Sequence, residues 1–364
     1  MKKYFIIFLL LITGNLFPQT DNSFYTKQFE RITDSIITNT LVPGLIVGVW
    51  DKSKNLEWTA AKGFADTENK VKMTTSKLVR IGSNTKTFVN TVLLQLVQES
   101  RLSLDDKLSL FYPEIPNSEN VSIRMLSNMR SGIFNYTESD EFGEFLSKNP
   151  TGYISPAELV HWGVSRPYYF SPGTDFHYSN TNTVILGMII EKLTGNSLEK
   201  EIQKRILDKL NLKSTYMASD SSLTGDYAHG YGTGADSVKP LPDYTNTFTV
   251  SWAWAAGAMV SNLYDVKTYV EALTDGSLLS PEMQAQRKTF DKITPNRKVE
   301  YGLGWYRYDN FIGHNGGIPG YSSIMMSDPD RHCTIIVFYN AQIKISVDEL
   351  FLTLSKVLYP ELPW

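Results

Sequence analysis

The sequence predicts an α+β fold in which an antiparallel sheet from both ends of the chain is flanked by terminal helices and carries an inserted all-helical domain. Three observations predict it. Strand patterns cluster at residues 45–61 and 301–339, helical patterns fill the middle, and a helical pattern lies at each end. Strands that cluster, instead of alternating with helices, argue against a doubly wound parallel sheet.

The N-terminal elements follow from spacing and turn residues. Between Phe24 and Thr40 apolar residues recur at helical spacing, and Pro43 with Gly44 ends that helix. Residues 45–50 and 56–61 have strand patterns and predict a hairpin. A short strand-like run at 78–82 then leads into a helix predicted over 84–101.

The remaining elements are predicted from the same periodicities. Helices are expected at 156–164, 182–193, 198–210 and 265–273, strands at 301–308, 321–327 and 334–339, and a closing helix at 347–358. The sheet domain is assigned residues 21–82 and 250–364, and the mostly helical domain residues 83–249. A cleft between two such domains is the expected place for a site.

Composition excludes several classes of protein. The 364 residues are 42% hydrophobic and 20% charged with a formal net charge of −3, so no basic surface for nucleic acid is expected. The single cysteine, Cys333, excludes an intramolecular disulfide framework and a cysteine-based zinc cluster. The histidines show no ligand spacing, and no metal or other cofactor is predicted.

The first 20 residues have the pattern of a signal peptide. Lys2 and Lys3 precede an apolar run that is short for a membrane span, which needs about 20 residues. We therefore expect an exported bacterial protein, periplasmic or extracellular, without a stable membrane anchor after cleavage.

A serine followed three residues later by a lysine is the first candidate for chemistry. It occurs twice, as Ser83 with Lys86 and as Ser197 with Lys200. Ser197 opens a charged helix and has the features of an N-cap. Ser83 instead opens a helix with a broad apolar face, where Lys86 lies one turn away and is buried. Burial lowers the pKa of a lysine, which can then take a proton from a serine nucleophile.

Two further segments can complete such a site. Tyr-x-Asn occurs three times, but only Tyr178 with Asn180 lies in a tight turn before a helix. A phenol near a cationic lysine ionises more readily and can serve as a general base. Downstream, His314 and Asn315 precede Gly316 and Gly317, where glycines on a strand allow close approach of a substrate backbone.

These three motifs together resemble the serine β-lactamase and DD-peptidase superfamily, and the likeness covers nearly the whole chain after residue 20. It is nearest to the Streptomyces-type D-alanyl-D-alanine carboxypeptidase and its class C β-lactamase relatives. The resemblance implies a β-lactamase/transpeptidase-like fold and an acyl-enzyme on Ser83, with Lys86 and Tyr178 handling the proton. It also implies that the N–H groups of Ser83 and Gly317 hold the oxyanion.

The resemblance implies a substrate-binding set around these groups: Asn180, Trp252, His314, Asn315, Gly316 and Gly317. Two positions depart from the family pattern. Asn315 stands where the family has a hydroxyl residue that binds the substrate carboxylate, and Tyr306 stands where the peptidase has an arginine. Because Arg307 is one step further along the strand, its side chain should face the other way.

The leading functional prediction is a D-alanyl-D-alanine carboxypeptidase-like, penicillin-binding serine hydrolase of cell-wall peptides. Its partner would be a small molecule or peptide with an ester or amide bond, such as a D-Ala-D-Ala-type peptide or a β-lactam. The alternatives are an esterase, β-lactamase or D-amino-acid amidase on the same scaffold, or a non-catalytic penicillin- or peptidoglycan-binding protein. Intact Ser83, Lys86 and Tyr178 argue against the last.

Overall fold

A nine-stranded antiparallel sheet is the centre of the computed structural model, which describes residues 22–232, 240–293 and 298–362. The strands of the described residues are β1 Gly44–Asp51, β2 Leu56–Asp66, β3 Val71–Lys72, β4 Val79–Arg80, β5 Tyr216–Met217, β6 Tyr231–Gly232, β7 Met259–Ser261, β8 Asp291–Lys292, β9 Val299–Tyr301, β10 Tyr306–Tyr308, β11 Phe311–Ile318, β12 Tyr321–Asp328, β13 Cys333–Tyr339 and β14 Ala341–Gln342. The large sheet has the order β3-β2-β1-β13-β12-β11-β10-β9-β8.

This order joins the two ends of the chain. Strand β1 pairs with β2 on one side and with β13, from residues 333–339, on the other. Two small sheets, β4-β7-β5 and the parallel pair β14-β6, lie apart from it. The predicted fold class, with its antiparallel sheet from both chain ends, is confirmed.

The helices of the described residues surround this sheet. They are α1 Ser23–Asn39, α2 Thr85–Gln98, α3 Ile123–Ser127, α4 Asp140–Lys148, α5 Pro156–Val164, α6 Asn180–Thr194, α7 Leu198–Ile202, α8 Asp208–Leu210, α9 Leu263–Asp275, α10 Pro281–Arg287 and α11 Val347–Leu358. Between α7 and α8 the backbone forms a π-helical turn, Gln203–Leu207, within the region predicted as one helix.

Helices α1 and α11 cover one face of the sheet. The ring of Phe29 in α1 lies 5.1 Å from that of Trp58 in β2, and Phe351 in α11 lies 5.4 Å from Phe311 in β11. Because successive side chains on a strand point to opposite faces, the intervening residues face the other side. There α9 lies between the sheet and α2, with Tyr269 stacked on Phe88.

One predicted strand is wrong in detail. Residues 301–308 form a hairpin of β9 and β10 instead of a single strand, with Tyr306 paired to Tyr301. Gly304 turns the chain with φ of +74°, and a Cβ there would lie 2.3 Å from the Asn90 side chain. The glycines at 302 and 304 indicate a turn, but the aromatic residues on either side are typical of a strand and led to the prediction of a single one.

Among the described residues no helix is both long and apolar enough to cross a membrane. The predicted signal peptide, residues 1–20, lies outside the described residues. The proposed boundaries at 82/83 and 249/250 stay a prediction, since buried residues of the helices and of the sheet share one hydrophobic cluster.

Candidate active site

Ser83 lies in a 3-10 turn, Gly82–Asn84, between β4 and α2. The turn packs directly on β11, since a Cβ on Gly82 would lie 2.9 Å from the Gly317 nitrogen. Asn84 holds the turn by donating from Nδ2 to the Ile81 carbonyl and to Ser323 Oγ. The serine is thus fixed at the start of a buried helix and is itself partly exposed.

Lys86 lies one turn further along α2 and is fully buried. Its Nζ is 2.9 Å from Ser83 Oγ and donates to the Ala256 carbonyl at 2.6 Å. Burial lowers the pKa of Lys86 well below its usual value, because the ammonium has lost its water. The structure therefore brings a nucleophile and a base-competent amine together.

Tyr178 lies against this pair at the end of the turn that precedes α6. Its ring centroid is 5.0 Å from Lys86 Nζ. Burial raises the pKa of the phenol, and the Ser83 hydroxyl offsets only part of that rise. The expectation that Tyr178 ionises readily therefore does not hold for the resting site, because the phenol has lost its solvent.

His314 is the fourth polar group of the cluster and is neutral. Its Nδ1 donates to the Asn315 carbonyl at 2.5 Å, so Nε2 accepts from the Tyr301 hydroxyl at 3.1 Å. Burial and the nearby Lys86 lower the pKa of His314 to about 3. This histidine therefore offers no positive charge to a substrate.

A cavity of about 200 Å³ opens beside Ser83. Trp252 and Phe142 line it, together with Asn180 and Gly317. No charged side chain borders it among the described residues. Thr137 and Asn180 add polar groups to the wall, so the cavity has both aromatic and uncharged polar surface.

Asn180 borders the same cavity as Ser83, but its amide does not bond Lys86. Its Nδ2 donates to Thr137 Oγ1 at 3.2 Å, and its backbone N–H donates to Asn135 Oδ1 at 3.0 Å. Lys86 is bonded to Ser83 and Ala256 instead. Asn180 can still meet a substrate, because it borders the cavity.

Gly316 and Gly317 of β11 play different parts. A Cβ on Gly316 would lie 2.1 Å from the Ile81 carbonyl oxygen and 2.9 Å from the Ser83 nitrogen, so only glycine allows this contact. Gly317 has room, with its nearest neighbour at 3.4 Å. Its backbone and that of Ser83 border the same cavity, where two N–H groups can hold an oxyanion.

The structure does not turn Asn315 towards Ser83. Because side chains alternate along β11, His314 and Gly316 face the catalytic turn, and Asn315 faces α11. Its Nδ2 donates to both carboxylate oxygens of Asp348 at 3.0 Å. The amide of Asn315, which the resemblance placed in the substrate-binding set in the position of a hydroxyl residue, is therefore bonded to Asp348.

The side chains of Tyr306 and Arg307, which are consecutive on β10, have different surroundings, as expected. Tyr306 donates its hydroxyl to Asp348 Oδ1 at 3.2 Å, whereas Arg307 is held by Glu300 and lies over the ring of Phe290. No arginine of the described residues replaces the one that the peptidases use.

Ser197, the other candidate serine, is an N-cap. Its Oγ accepts from the backbone N–H of Lys200 at 3.3 Å, and both side chains are exposed. The described residues hold no cluster of three or more His, Cys, Asp or Glu side chains that could bind a metal ion.

Sequence reasoning missed several groups that complete the site. The Ala256 carbonyl, Phe142 and Thr137 had no motif to mark them. Tyr301 begins the strand predicted at 301–308 but was assigned no role in the site. Its aromatic neighbours and its place opposite His314 were visible only in the fold.

A partly exposed serine next to a buried lysine, with a tyrosine beside them, at the start of a helix near an antiparallel sheet, is typical of serine hydrolases of the β-lactamase and penicillin-binding class. The chain belongs to this family: the sequence pattern of the family described as Beta-lactamase matches residues 29–350. The predicted resemblance is confirmed.

Two similar solved structures are named as an amidohydrolase and an amidase. A D-stereospecific amidohydrolase from a Streptomyces species is 29% identical, covers 94% of this chain and 99% of its own, and has a TM-score of 0.80. The D-amino acid amidase from Ochrobactrum anthropi SV3, solved with D-phenylalanine, is 26% identical over 93% and 99% of the two chains with a TM-score of 0.81.

A curated relative is longer than this chain. Protein flp of Staphylococcus aureus (strain MRSA252) is 26% identical over 329 residues, which is 86% of this chain and 64% of the relative. The chain therefore spans less than two thirds of that relative's length.

Proposed function

We propose that this protein hydrolyses amide or ester bonds of small molecules or peptides through an acyl-enzyme on Ser83. The observation that carries the proposal is the 2.9 Å contact between Ser83 Oγ and the buried Nζ of Lys86. A neutral amine at this distance can accept the serine proton as the oxygen attacks a carbonyl carbon.

The proton then moves through groups that are already in place. The attack forms the Ser83 Oγ–C bond, and the N–H groups of Ser83 and Gly317 hold the oxyanion. Tyr178, whose raised pKa keeps it a phenol, gives its proton to the leaving nitrogen or oxygen as that bond breaks. Lys86 returns the serine proton to Tyr178. Water then attacks the acyl carbon, the bond from that carbon to Ser83 Oγ breaks, and one proton of the water passes by way of Lys86 to Ser83 Oγ.

The acyl side of the substrate is expected to be uncharged. The cavity beside Ser83 is bordered by Phe142 and Trp252 and by no charged side chain of the described residues. The similar structures named as D-stereospecific amidohydrolase and D-amino acid amidase support a D-configured acyl group. A free ammonium would find no acid in this cavity, so we propose an acyl group without one.

We expect that the leaving group of the substrate does not need a carboxylate. His314 is neutral and Asn315 is bound to Asp348, so the described residues present no cation for a terminal carboxylate there. We therefore place neutral amides and esters ahead of D-alanyl-D-alanine peptides as substrates.

A carboxypeptidase-like activity is the second candidate, and one observation favours it. Strand β10 pairs with β11 only as far as Gly313, so residues 314–318 have no described strand on that side. An extended peptide can pair with that edge.

A substrate panel separates these functions. Purified protein is given an N-acyl-D-Ala-D-Ala peptide, its C-terminal amide, a p-nitrophenyl ester, a D-amino-acid amide and nitrocefin. We expect better turnover of the peptide amide and the ester than of the free acid. The reverse order supports the carboxypeptidase, and penicillin binding without turnover of any compound supports the non-catalytic alternative.

We further propose that the protein is exported, on the basis of Lys2 and Lys3 followed by an apolar run. N-terminal sequencing of natively produced protein should then begin between about residues 17 and 24. Intact Met1 on a cytoplasmic protein contradicts export.

A further inference from the structure

A second cavity, of about 370 Å³, adjoins the catalytic cluster. It shares Tyr178 and His314 with that cluster and extends to α11. Aromatic rings form most of its wall: Phe176, Tyr178, Tyr301, Tyr306, Tyr308 and Phe351.

This cavity lies on the leaving-group side of the reaction. Tyr178, which hands a proton to the leaving atom, lines it and does not line the cavity beside Ser83. Along β11, Gly317 borders the first cavity and His314 borders the second. Three residues of strand separate them by roughly 10 Å, about the length of one amino-acid residue and its side chain.

The side chain of Asp348 lies in the wall of this cavity. Asp348, in the first turn of α11, accepts from Asn315 Nδ2, the Tyr306 hydroxyl and Ser346 Oγ, all neutral donors. Among the described residues it has no ion pair, and no lysine or arginine lines the cavity. Its negative charge is therefore balanced only by hydrogen bonds and by the helix N-terminus.

We infer that this cavity receives the leaving group and favours one that carries a positive charge on an apolar body. Aromatic faces attract a cation within about 6 Å, and Asp348 adds a full opposite charge. A leaving group with a carboxylate meets like charge in the same place. The inference rests on the proposed function and names the substrate class within it.

The neighbouring acid on α11 shows that the arrangement is specific. An acid in the first turn of a helix is stabilising wherever it points, and both Asp348 and Glu349 fill that role. Only Asp348 lines the aromatic cavity, whereas Glu349 is exposed and lies away from it. Glu349 is thus a matched control for the charge and for the helix.

The test uses three phenyl esters of one uncharged acyl group. Their leaving groups are 3-(trimethylammonio)phenol, 3-hydroxybenzamide and 3-hydroxybenzoate, and each kcat/KM is divided by the ester's rate with hydroxide. We expect the cationic leaving group to exceed the anionic one by about tenfold or more, as for unit charges a few ångströms apart at a partly solvated site. Equal corrected rates overturn the inference and leave the proposed hydrolase standing.

The charge of Asp348 is then removed in place. In Asp348→Asn the cation-to-anion ratio should fall several-fold, mainly through KM, whereas Glu349→Gln should keep the wild-type ratio. The ratio is measured within each variant, so a loss of folded protein does not alter it. Equal changes in both variants overturn the inference. Arg297 lies outside the described residues, so Arg297→Gln is included as a further variant. If this substitution raises the cation-to-anion ratio, the arginine acts on the leaving group and the inference fails.

Binding is also measured without turnover. Phenyltrimethylammonium should slow fluorophosphonate labelling of Ser83 more than benzoate does, with benzamide between them. This order supports the cavity assignment even if no ester is hydrolysed. Absence of both labelling and turnover instead refutes the proposed function, and benzoate protecting as well as phenyltrimethylammonium refutes the inference.

Discussion

Ser83 with Lys86 and Ser197 with Lys200 have the same spacing and each pair stands at the start of a helix. In the first pair the lysine amine contacts the serine hydroxyl at 2.9 Å and is fully buried. In the second pair the hydroxyl accepts from the lysine backbone and both side chains are exposed. The difference shows that the surroundings of a serine–lysine pair, more than its spacing, decide whether it can perform chemistry.

The largest expected effect separates the two serines. Ser83→Ala should lower kcat/KM by roughly 10⁴-fold or more, because it removes the atom that forms the acyl-enzyme. Ser197→Ala should leave turnover unchanged. Mass spectrometry after fluorophosphonate treatment should show one adduct, on the peptide that contains Ser83. An adduct on Ser197 contradicts the comparison.

The next effect separates the two lysines. Lys86→Ala should lower kcat by roughly 10²- to 10⁴-fold, the range for loss of a general base, whereas Lys200→Ala should have no effect. Tyr178→Phe should have a loss of similar size, and the double variant little more, since groups in one relay are non-additive. If the two losses simply multiply, Lys86 and Tyr178 do not share a relay.

A smaller effect concerns pH and stability. The pKa of Lys86 is lowered in the folded protein, so the unfolded chain binds more protons between that lowered value and the ordinary one near 10.5. The free energy of unfolding of wild type, relative to Lys86→Met, should therefore rise with pH in this window, by at most about 1.4 kcal/mol per pH unit. The stabilisation is lost as pH falls towards the lowered pKa.

Denaturant titrations at several pH values measure this slope. Lys200→Met is the control, and its difference from wild type should not change with pH because that side chain is exposed. A flat difference for Lys86→Met would show that Lys86 keeps an ordinary pKa when folded.

The smallest expected effect is on stability, where substitution of Ser197 should cost more than substitution of Ser83. Ser197→Ala should lower the free energy of unfolding by about 1 kcal/mol, because the N-cap of α7 is lost. Ser83→Ala should cost less, since its hydroxyl caps no helix. Equal stability of the two variants argues against the capping role of Ser197.

Much of the fold could be predicted because its helices and strands have regular periodicity. The helices at 156–164 and 347–358 match their predicted bounds. The β9–β10 hairpin could not be predicted as easily, because its turn is stabilised by contact with Asn90, more than 200 residues earlier in the chain. Local pattern does not contain that contact.

In the candidate site, too, some residues could be predicted from local sequence and others depend on long-range contacts. Motif spacing identified Ser83, Lys86 and Tyr178, which the structure brings together. Strand alternation predicts that Asn315 and His314 point to opposite faces of β11. It does not predict that Asp348, 33 residues later in the chain, lies beside Asn315 and accepts its hydrogen bond. The charge of the leaving-group cavity follows from that long-range contact.

The open edge of β11 has a consequence for solubility. Unpaired strand edges recruit strands of other molecules and lead to aggregation. Here the edge at residues 314–318 lies beside the Ser83 turn, with the cavity walls around it. The edge that could accept an extended substrate is therefore also a place where a strand of another molecule could pair.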